Sequence, residues 1–267
     1  MWDFYMTKYF AVISAKGGVG KTTTSINLAS ALSFFGRNVI AIDADLTAPN
    51  MSIHLGVPTL PSSIHDALDG RVPLSSCLYY HPCGLRIIPG NIAYESSKAI
   101  NLAGFKTIIH ELDGKAELVI VDGAPGVSPE AQTIIDAVDF VLPITTPDLA
   151  AMSDARKTIK MARELNKHVL GIIVNRVRGE DHEIDIRNIE AFLEVPVIGV
   201  IPEESSVRAA YQLKGPVLYT HPDGEAALAY KKLAAKVIGE DFQDGLEPRK
   251  MPSLAHDFLA GWNIIKR

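Results

Sequence analysis

The chain has 267 residues, of which 47% are hydrophobic and 21% are charged, and its formal net charge is -5. This length supports one large α/β domain or two small ones, and the acidic balance gives no support to a nucleic-acid partner. The two cysteines, Cys77 and Cys83, match neither a zinc knuckle nor a disulfide framework, which indicates a reducing compartment. No apolar run approaches the roughly 20 residues that span a bilayer, and the first ten residues lack the order of a signal peptide.

Short β-branched segments alternate with helical patterns along the chain. The predicted strands are 9–14, 38–43, 85–90, 117–122, 140–145, 168–175 and 197–202. The predicted helices are 21–36, 128–138, 152–166, 182–194 and 224–239. Because the strands are almost continuously apolar, both faces of their sheet must be covered. The order predicts a doubly wound, mostly parallel sheet with helices on both faces and ligands at the carboxyl ends of the strands.

The first motif is the segment VISAKGGVGKTTTSINLASALSFFG, residues 12–36, which joins a predicted strand to a predicted helix. Its glycines let the backbone approach an anion at the helix N-terminus, while Lys21 can reach the β- and γ-phosphates and the Thr22 hydroxyl can hold Mg²⁺. The segment therefore predicts a phosphate-binding loop, and with it a P-loop NTPase fold. Ala15 stands where the ordinary pattern has its first glycine. The extra lysine, Lys16, is compatible by itself with a solvated loop residue.

Two further strand ends carry carboxylates. IDADLTAPN places Asp43 and Asp45 two residues apart, so that in an extended segment both point to one side and can share a metal and the attacking water. The alternative is a turn in which these residues serve local hydrogen bonds. In ELVIVDGAPG, four apolar residues are followed by Asp122, whose carboxylate would hold a Mg²⁺-bound water. Gly126, in the loop after this strand, can donate its N–H to the γ-phosphate.

A later strand end bears on the choice of base. A guanine-reading GTPase has an aspartate shortly after its strand-end asparagine, but Asn175 is followed by Arg176, Val177 and Arg178. Without that carboxylate, adenine is favoured over guanine.

The loop sequence KGGVGKTT resembles the deviant Walker A motif of the MinD/ParA ATPases. The resemblance runs from about Tyr9 to Gly239 and is strongest toward the archaeal-type MinD branch, on DADLTAPN, TTPDLAAMSDARKTIK and VIGVIPEE. It implies ATP and Mg²⁺ as cofactors and a homodimer in the ATP state. In that dimer Lys16 reaches the nucleotide of the other subunit, as an arginine finger does.

The resemblance also implies residue roles. Lys16, Lys21 and Asp45 would be catalytic, with Asp45 orienting the water, and Thr22, Asp43 and Asp122 would serve the metal. Proline lies one place later here than in the family pattern, at Pro125, which leaves the geometry of that loop open. Arg176 is compatible with a plain surface residue as well as with the base pocket. The residues implied in ATP binding are Lys16, Gly17, Gly18, Val19, Gly20, Lys21, Thr22, Thr23, Gly126, Asn175, Arg176, Pro202, Glu203 and Val207.

Family members differ in output. MinD proteins attach to membrane, ParA proteins bind DNA nonspecifically, and Mrp-type relatives transfer iron–sulfur clusters. The cluster carriers use a C-terminal Cys-x-x-Cys, which has no counterpart here, and a sequence pI near 5.9 disfavours DNA. We therefore expect a slow ATP hydrolase acting as a spatial-positioning switch at the cytoplasmic face of the cell membrane, stimulated by an activator or cargo protein. A ParA-like segregation ATPase is the alternative.

The composition changes after Gly239, which divides the chain into an ATPase domain (1–239), a linker (240–252) and an amphipathic C-terminal tail (253–267). A helical tail would carry an apolar stripe, which predicts a reversible membrane anchor. Packing on a protein partner or on the chain's own domain are the alternatives. The residues of the stripe are Leu254, Phe258, Leu259, Trp262 and Ile265.

Overall fold

A computed structural model describes residues 6–57, 60–93 and 102–242. The predicted domain therefore lies almost entirely within the described part of the chain. The predicted tail, with Leu254, Phe258, Leu259, Trp262 and Ile265, lies outside it, as does the linker after residue 242.

Nine strands of the described residues form one sheet. They are β1 (Lys8–Ser14), β2 (Val39–Asp43), β3 (Tyr79–Tyr80), β4 (Arg86–Ile88), β5 (Leu118–Pro125), β6 (Phe140–Thr145), β7 (His168–Val169), β8 (Ile172–Val177) and β9 (Val197–Pro202). Their order is β3-β4-β2-β5-β1-β6-β8-β9, with β7 paired to β6, and all pairs are parallel except β3 with β4. The predicted doubly wound, mostly parallel sheet is confirmed.

The α-helices of the described residues cover both faces of this sheet. They are α1 (Lys21–Phe34), α2 (Met51–His54), α3 (Ile64–Leu68), α4 (Phe105–Ile109), α5 (Pro129–Ala137), α6 (Leu149–Glu164), α7 (Ile186–Leu193), α8 (Ser205–Gln212), α9 (Val217–Thr220) and α10 (Glu225–Ile238). None of the helices in the described ranges is both long and apolar enough to cross a bilayer.

Strand residues alternate between two cores. On β1, Phe10 and Val12 pack with α1 and α10, whereas Tyr9, Ala11 and Ile13 pack with α3, α4 and α5. This alternation follows from the two-residue side-chain period of a strand, and burial on both faces explains why the strand is apolar throughout.

The predicted strand 168–175 is divided at Gly171. A Cβ at Gly171 would lie 2.4 Å from Cγ2 of Ile198 on β9, so the backbone approaches its neighbour too closely for a side chain. The N–H of Leu170 donates to Val141 of β6, and that of Ile172 donates to Pro196 just before β9. The chain thus changes hydrogen-bond partners at this point, which the unbroken apolar pattern does not reveal.

Strand order decides where the site lies. β5 pairs with β1 on one side and β2 on the other, so the carboxyl ends of all three strands are adjacent. In the β2–β5 register, Asp43 is the partner of Asp122. The loops that the sequence marks for phosphate and metal therefore meet at one edge of the sheet.

Candidate nucleotide site

The loop between β1 and α1 has the geometry of an anion cradle. Gly20 precedes α1 with φ +97°, and a Cβ there would lie 2.4 Å from Nδ2 of Asn175. Any other residue at position 20 would be strained and would clash with this amide. The Ser14 hydroxyl donates to the Lys16 carbonyl at 2.6 Å, which fixes the start of the loop. The first N–H groups of a helix have no partner within the helix, and no side chain caps those of α1, so they are available to an anion.

Lys21 lies at the start of α1 near the buried Asp122 carboxylate, whose partner in the strand register is the equally buried Asp43. Lys21 is 8% exposed, while Asp43 and Asp122 are fully buried. Burial raises the pKa of the Asp43 carboxyl, and the neighbouring Asp122 charge raises it further. Burial also raises the pKa of Asp122, although the Thr22 hydroxyl and the Lys21 charge act in the opposite direction. Residues that are far apart in sequence thus form one electrostatically coupled group.

The two carboxylates fit a magnesium ion held together with a nucleotide. Oδ2 of Asp43 accepts from the Met51 N–H at 2.9 Å, and Oδ1 of Asp122 accepts from the Ser25 hydroxyl at 3.0 Å. Their other oxygens, Asp43 Oδ1 and Asp122 Oδ2, are buried without a hydrogen-bond partner. The residues that the structure describes contain no cage of three or more acidic, histidine or cysteine ligands. Mg²⁺ needs none, because it typically binds one or two carboxylates together with water and phosphate oxygens.

Asp45 lies in the loop after β2 and is 8% exposed. Its Oδ1 accepts from the Ala48 N–H at 3.1 Å. Burial raises the pKa of Asp45, and the Ala48 hydrogen bond and the Lys21 charge partly offset this effect. Asp45 is therefore brought to the same region as Lys21, although the two belong to different loops.

The Gly126 N–H, which the sequence predicts as a donor to the γ-phosphate, has a backbone partner in the structure. Gly126 follows β5 with φ +92°, and its N–H donates to the Ser14 carbonyl at 2.9 Å. Donation to a γ-phosphate requires this hydrogen bond to open. The β5 loop and the phosphate-binding loop are thus joined directly at Gly126 and Ser14.

Lys16 forms an ion pair that the sequence did not predict. Its Nζ lies 3.7 Å from Oδ1 of Asp148, and the two side chains are 45% and 48% exposed. Asp148 is the N-cap of α6, where its Oδ1 accepts from the Ala151 N–H at 2.9 Å. An aspartate directly before a helical pattern predicts an N-cap, so the capping role of Asp148 is visible in the sequence. No pattern in the nearby sequence predicts that Asp148 also pairs with Lys16.

A cleft of about 570 Å³ extends from the phosphate-binding loop toward α8. It brings together seven predicted nucleotide-binding residues, namely Gly20, Thr23, Asn175, Arg176, Pro202, Glu203 and Val207. It also has lining residues that the sequence reasoning missed, namely His54, Glu204, Arg208, Tyr211, Gln212 and Tyr230. The missed set comes mostly from α2, α8 and α10, which meet here only through the tertiary fold.

Asn175 links the cleft to the phosphate-binding loop. Its Nδ2 donates to the Val19 carbonyl at 2.7 Å, and the residue is 6% exposed. Arg176 follows with φ +58°, a left-handed conformation rare for arginine, at an irregularity in the β8–β9 register. This conformation leaves its side chain half exposed, with Nε 3.8 Å from Oε2 of Glu203. The asparagine thus braces the loop while the arginine projects outward.

Comparison with known proteins gives consistent matches over most of the chain. Residues 10–217 match the model of the CobQ/CobB/MinD/ParA nucleotide binding domain. An ATP-binding protein of Methanocaldococcus jannaschii is 34% identical over 94% of this chain and 95% of its own length. The septum site-determining protein MinD of Pyrococcus horikoshii, solved with Mg-ADP, is 30% identical with a TM-score of 0.83, over 87% of this chain and 96% of that one. MinD in a MinC:MinD complex of Aquifex aeolicus is 25% identical with a TM-score of 0.79, over 91% and 100% of the two chains.

Proposed function

The chain belongs to the CobQ/CobB/MinD/ParA nucleotide-binding domain family, with ATP and Mg²⁺ as its cofactors, and from this premise we propose that it is a positioning switch. In this proposal ATP binding drives the chain to form a homodimer that attaches to a membrane surface. Hydrolysis, stimulated by a partner protein, returns it to the free monomer. The Aquifex neighbour, a MinC:MinD complex, supports a protein partner for this chain as well.

One observation carries the nucleotide site on which the proposal rests, namely the grouping of the buried Asp43 and Asp122 carboxylates with Lys21, which lies near Asp122. Two buried oxygens without partners, beside a lysine at a helix N-terminus, are costly unless a ligand satisfies them. In a bound complex of a triphosphate with its metal ion, the metal ion supplies positive charge to the two carboxylates. The phosphates supply negative charge to Lys21.

We assign the remaining roles from this grouping. Lys21 and the N–H groups at the start of α1 bind the phosphates, and Thr22 and Asp122, with Asp43 behind them, serve the metal ion. When bound, Mg²⁺ offsets charge on the phosphate oxygens. Asp45 orients the attacking water. Lys16, which is exposed on the surface, leaves Asp148 and contacts the nucleotide of the second subunit.

Phosphate release and light scattering test the proposal directly. We expect slow release of phosphate from ATP with Mg²⁺, and a dimer with ATP that is absent with ADP. Lys21→Ala should abolish nucleotide binding and phosphate release. Loss of activity in this variant would show that the activity belongs to this site and not to a contaminant. The exposed Lys232→Ala is the matched control and should behave as the unmodified chain does. A monomer at saturating ATP would overturn the switch.

Membrane attachment is assigned to the tail. One helix of about 15 residues is marginal in water and would bind a bilayer weakly. A dimer presents two tails, and this linkage raises avidity by about 10²- to 10⁴-fold. ATP would therefore control attachment through dimerisation, without any change in the tail itself.

Trp262 reports on this attachment, because Trp2 is the only other tryptophan and can be replaced by phenylalanine. With vesicles containing anionic lipid and with ATP, we expect the Trp262 emission to shift to the blue and the protein to sediment with the vesicles. With ADP we expect neither change. A chain stopped after Gly239 is the control and should stay in the supernatant. An unshifted spectrum with the full chain in the supernatant would instead favour a protein partner or self-packing.

A further inference from the structure

The loop that carries Asp45 is held from two sides at the next residue, Leu46. The Leu46 N–H donates to Oε1 of Glu130 at 2.6 Å, and its carbonyl accepts from Nε2 of His65 at 2.8 Å. The Thr47 hydroxyl donates to Oε2 of Glu130 at 3.0 Å. We call Glu130, His65 and Leu46 the Leu46 clamp. It fixes both polar backbone groups of a residue that is 2% exposed.

His65 is confined to one tautomer by its surroundings. The Asn91 N–H donates to Nδ1 at 3.1 Å, so Nδ1 is an acceptor and the hydrogen must lie on Nε2, where the Leu46 carbonyl receives it. The residue is 1% exposed, and burial lowers its pKa, which favours this neutral form. His65 therefore acts as a fixed donor to the loop.

Glu130 connects two loops that border the phosphate site. It lies in the first turn of α5, two residues after Ser128, and Ser128 caps that helix through the Ala131 N–H at 3.2 Å. Because Gly126 is in turn bonded to Ser14, Glu130 joins the Asp45 loop to the β5 loop and, through it, to the phosphate-binding loop.

We propose that Glu130 is a positioning residue for ATP hydrolysis, which fixes the Asp45 carboxylate relative to Lys21 through the Leu46 clamp. The inference rests on the proposed function, in which Asp45 orients the water. Glu130 binds loop atoms and not the nucleotide, so its loss should change kcat and leave nucleotide affinity intact. A displacement of about 1 Å in such a group can cost about 10²-fold in rate.

Three variants separate this role from a general effect on folding. Glu130→Ala removes both acceptors, and we expect kcat to fall about 10- to 100-fold while KM for ATP and the affinity for ADP stay within about threefold. Glu130→Gln keeps an acceptor for the Leu46 N–H, and its amide can donate to the Thr47 oxygen, so most of the activity should return. Gln132→Ala, exposed on the same helix, is the matched control and should match the unmodified chain.

Amide hydrogen exchange at Leu46 supplies a readout that does not depend on activity. We expect Glu130→Ala to speed exchange of the Leu46 N–H at least about tenfold, because a buried amide loses its acceptor, whereas Glu130→Gln should leave it near the original rate. Unchanged exchange together with unchanged kcat in Glu130→Ala would overturn the proposal, as would a fall in kcat that Glu130→Gln does not restore.

The two hypotheses fail in different ways. If the unmodified chain releases no phosphate, the proposed function fails and with it the role of Glu130 in turnover. The Leu46 exchange rates then decide whether the clamp itself exists. If the unmodified chain is active and Glu130→Ala is equally active, only the positioning role fails.

Discussion

Lys16→Gln should bind ATP as the unmodified chain does and lose turnover by about 10³-fold or more, the range associated with a charge supplied from a second subunit. Glutamine keeps most of the side-chain volume but not the positive charge that acts on the transferred phosphoryl group. The ion pair with Asp148 is about half exposed, and such pairs contribute little to stability. The free energy of unfolding should therefore change by less than about 1 kcal/mol.

Mixing two inactive variants shows in which subunit Lys16 acts. Asp45→Ala removes the residue proposed to orient the water, so it should also bind ATP without turnover. In a mixed dimer, the Lys16→Gln subunit keeps its own Asp45 and receives Lys16 from its partner. Random pairing should then restore about one quarter of the original rate, because about half of the dimers are mixed and each has one complete site.

An equimolar mixture that stays inactive would place Lys16 in its own subunit's site. Full activity of the Lys16→Gln variant by itself would place Lys16 outside the reaction. Lys157→Gln is the matched control, because Lys157 is also exposed and pairs with Asp154 at 2.8 Å. We expect that variant to hydrolyse ATP at the original rate.

Asp122→Asn should change turnover and stability in opposite directions. The asparagine cannot provide the second negative charge of the Asp43–Asp122 pair, so Mg²⁺-dependent hydrolysis should be lost. In the nucleotide-free chain the same change removes a buried charge without a full set of partners. Its Oδ1 can still accept from Ser25, and unfolding should therefore cost about 1–3 kcal/mol more than in the unmodified chain at pH 7.

The sign of the pH dependence follows from the raised pKa of Asp122. The folded state holds a proton that the unfolded state releases at about pH 4, so this group destabilises the folded chain increasingly as the pH rises from there to the folded-state pKa. His54, His65 and His81, whose pKa values burial lowers, act oppositely below about pH 6.5. The difference between Asp122→Asn and the unmodified chain cancels the histidines and reports the interacting Asp43–Asp122 pair, and it should shrink toward zero below about pH 4.

Urea unfolding of the nucleotide-free proteins at several pH values measures this difference. Asp181→Asn is the control, because Asp181 is exposed in a turn, so its effect should stay within about 0.5 kcal/mol. A less stable Asp122→Asn protein at pH 7 would contradict the view that the buried carboxylate pair is unfavourable without its ligand.

The sequence predicted the sheet and the phosphate-binding loop because both leave local patterns. An apolar strand with two buried faces is recognised from a few consecutive residues. The same is true of a run of glycines between a strand and a helix. The division of 168–175 at Gly171 escaped prediction, because the chain changes its hydrogen-bond partners there from β6 to the segment before β9, and partners on other strands leave no local pattern. The strand β3 and the helices α2, α3, α4, α8 and α9 were also missed. All of them except α8 have five residues or fewer, and such short elements leave little periodicity to detect.

By itself the sequence determined which residue types stand at the ends of β1, β2 and β5, and thus the chemistry available to the site. Only the tertiary structure decided which of them meet. Placing β5 between β1 and β2 brings Asp122 beside Asp43, and it brings Glu130 to Leu46 across 84 positions of the chain. Side-chain periodicity and turn chemistry report contacts over a few residues, whereas strand order sets contacts at this range. For that reason the motif could be predicted from the sequence, and the Leu46 clamp and the Lys16–Asp148 pair could not.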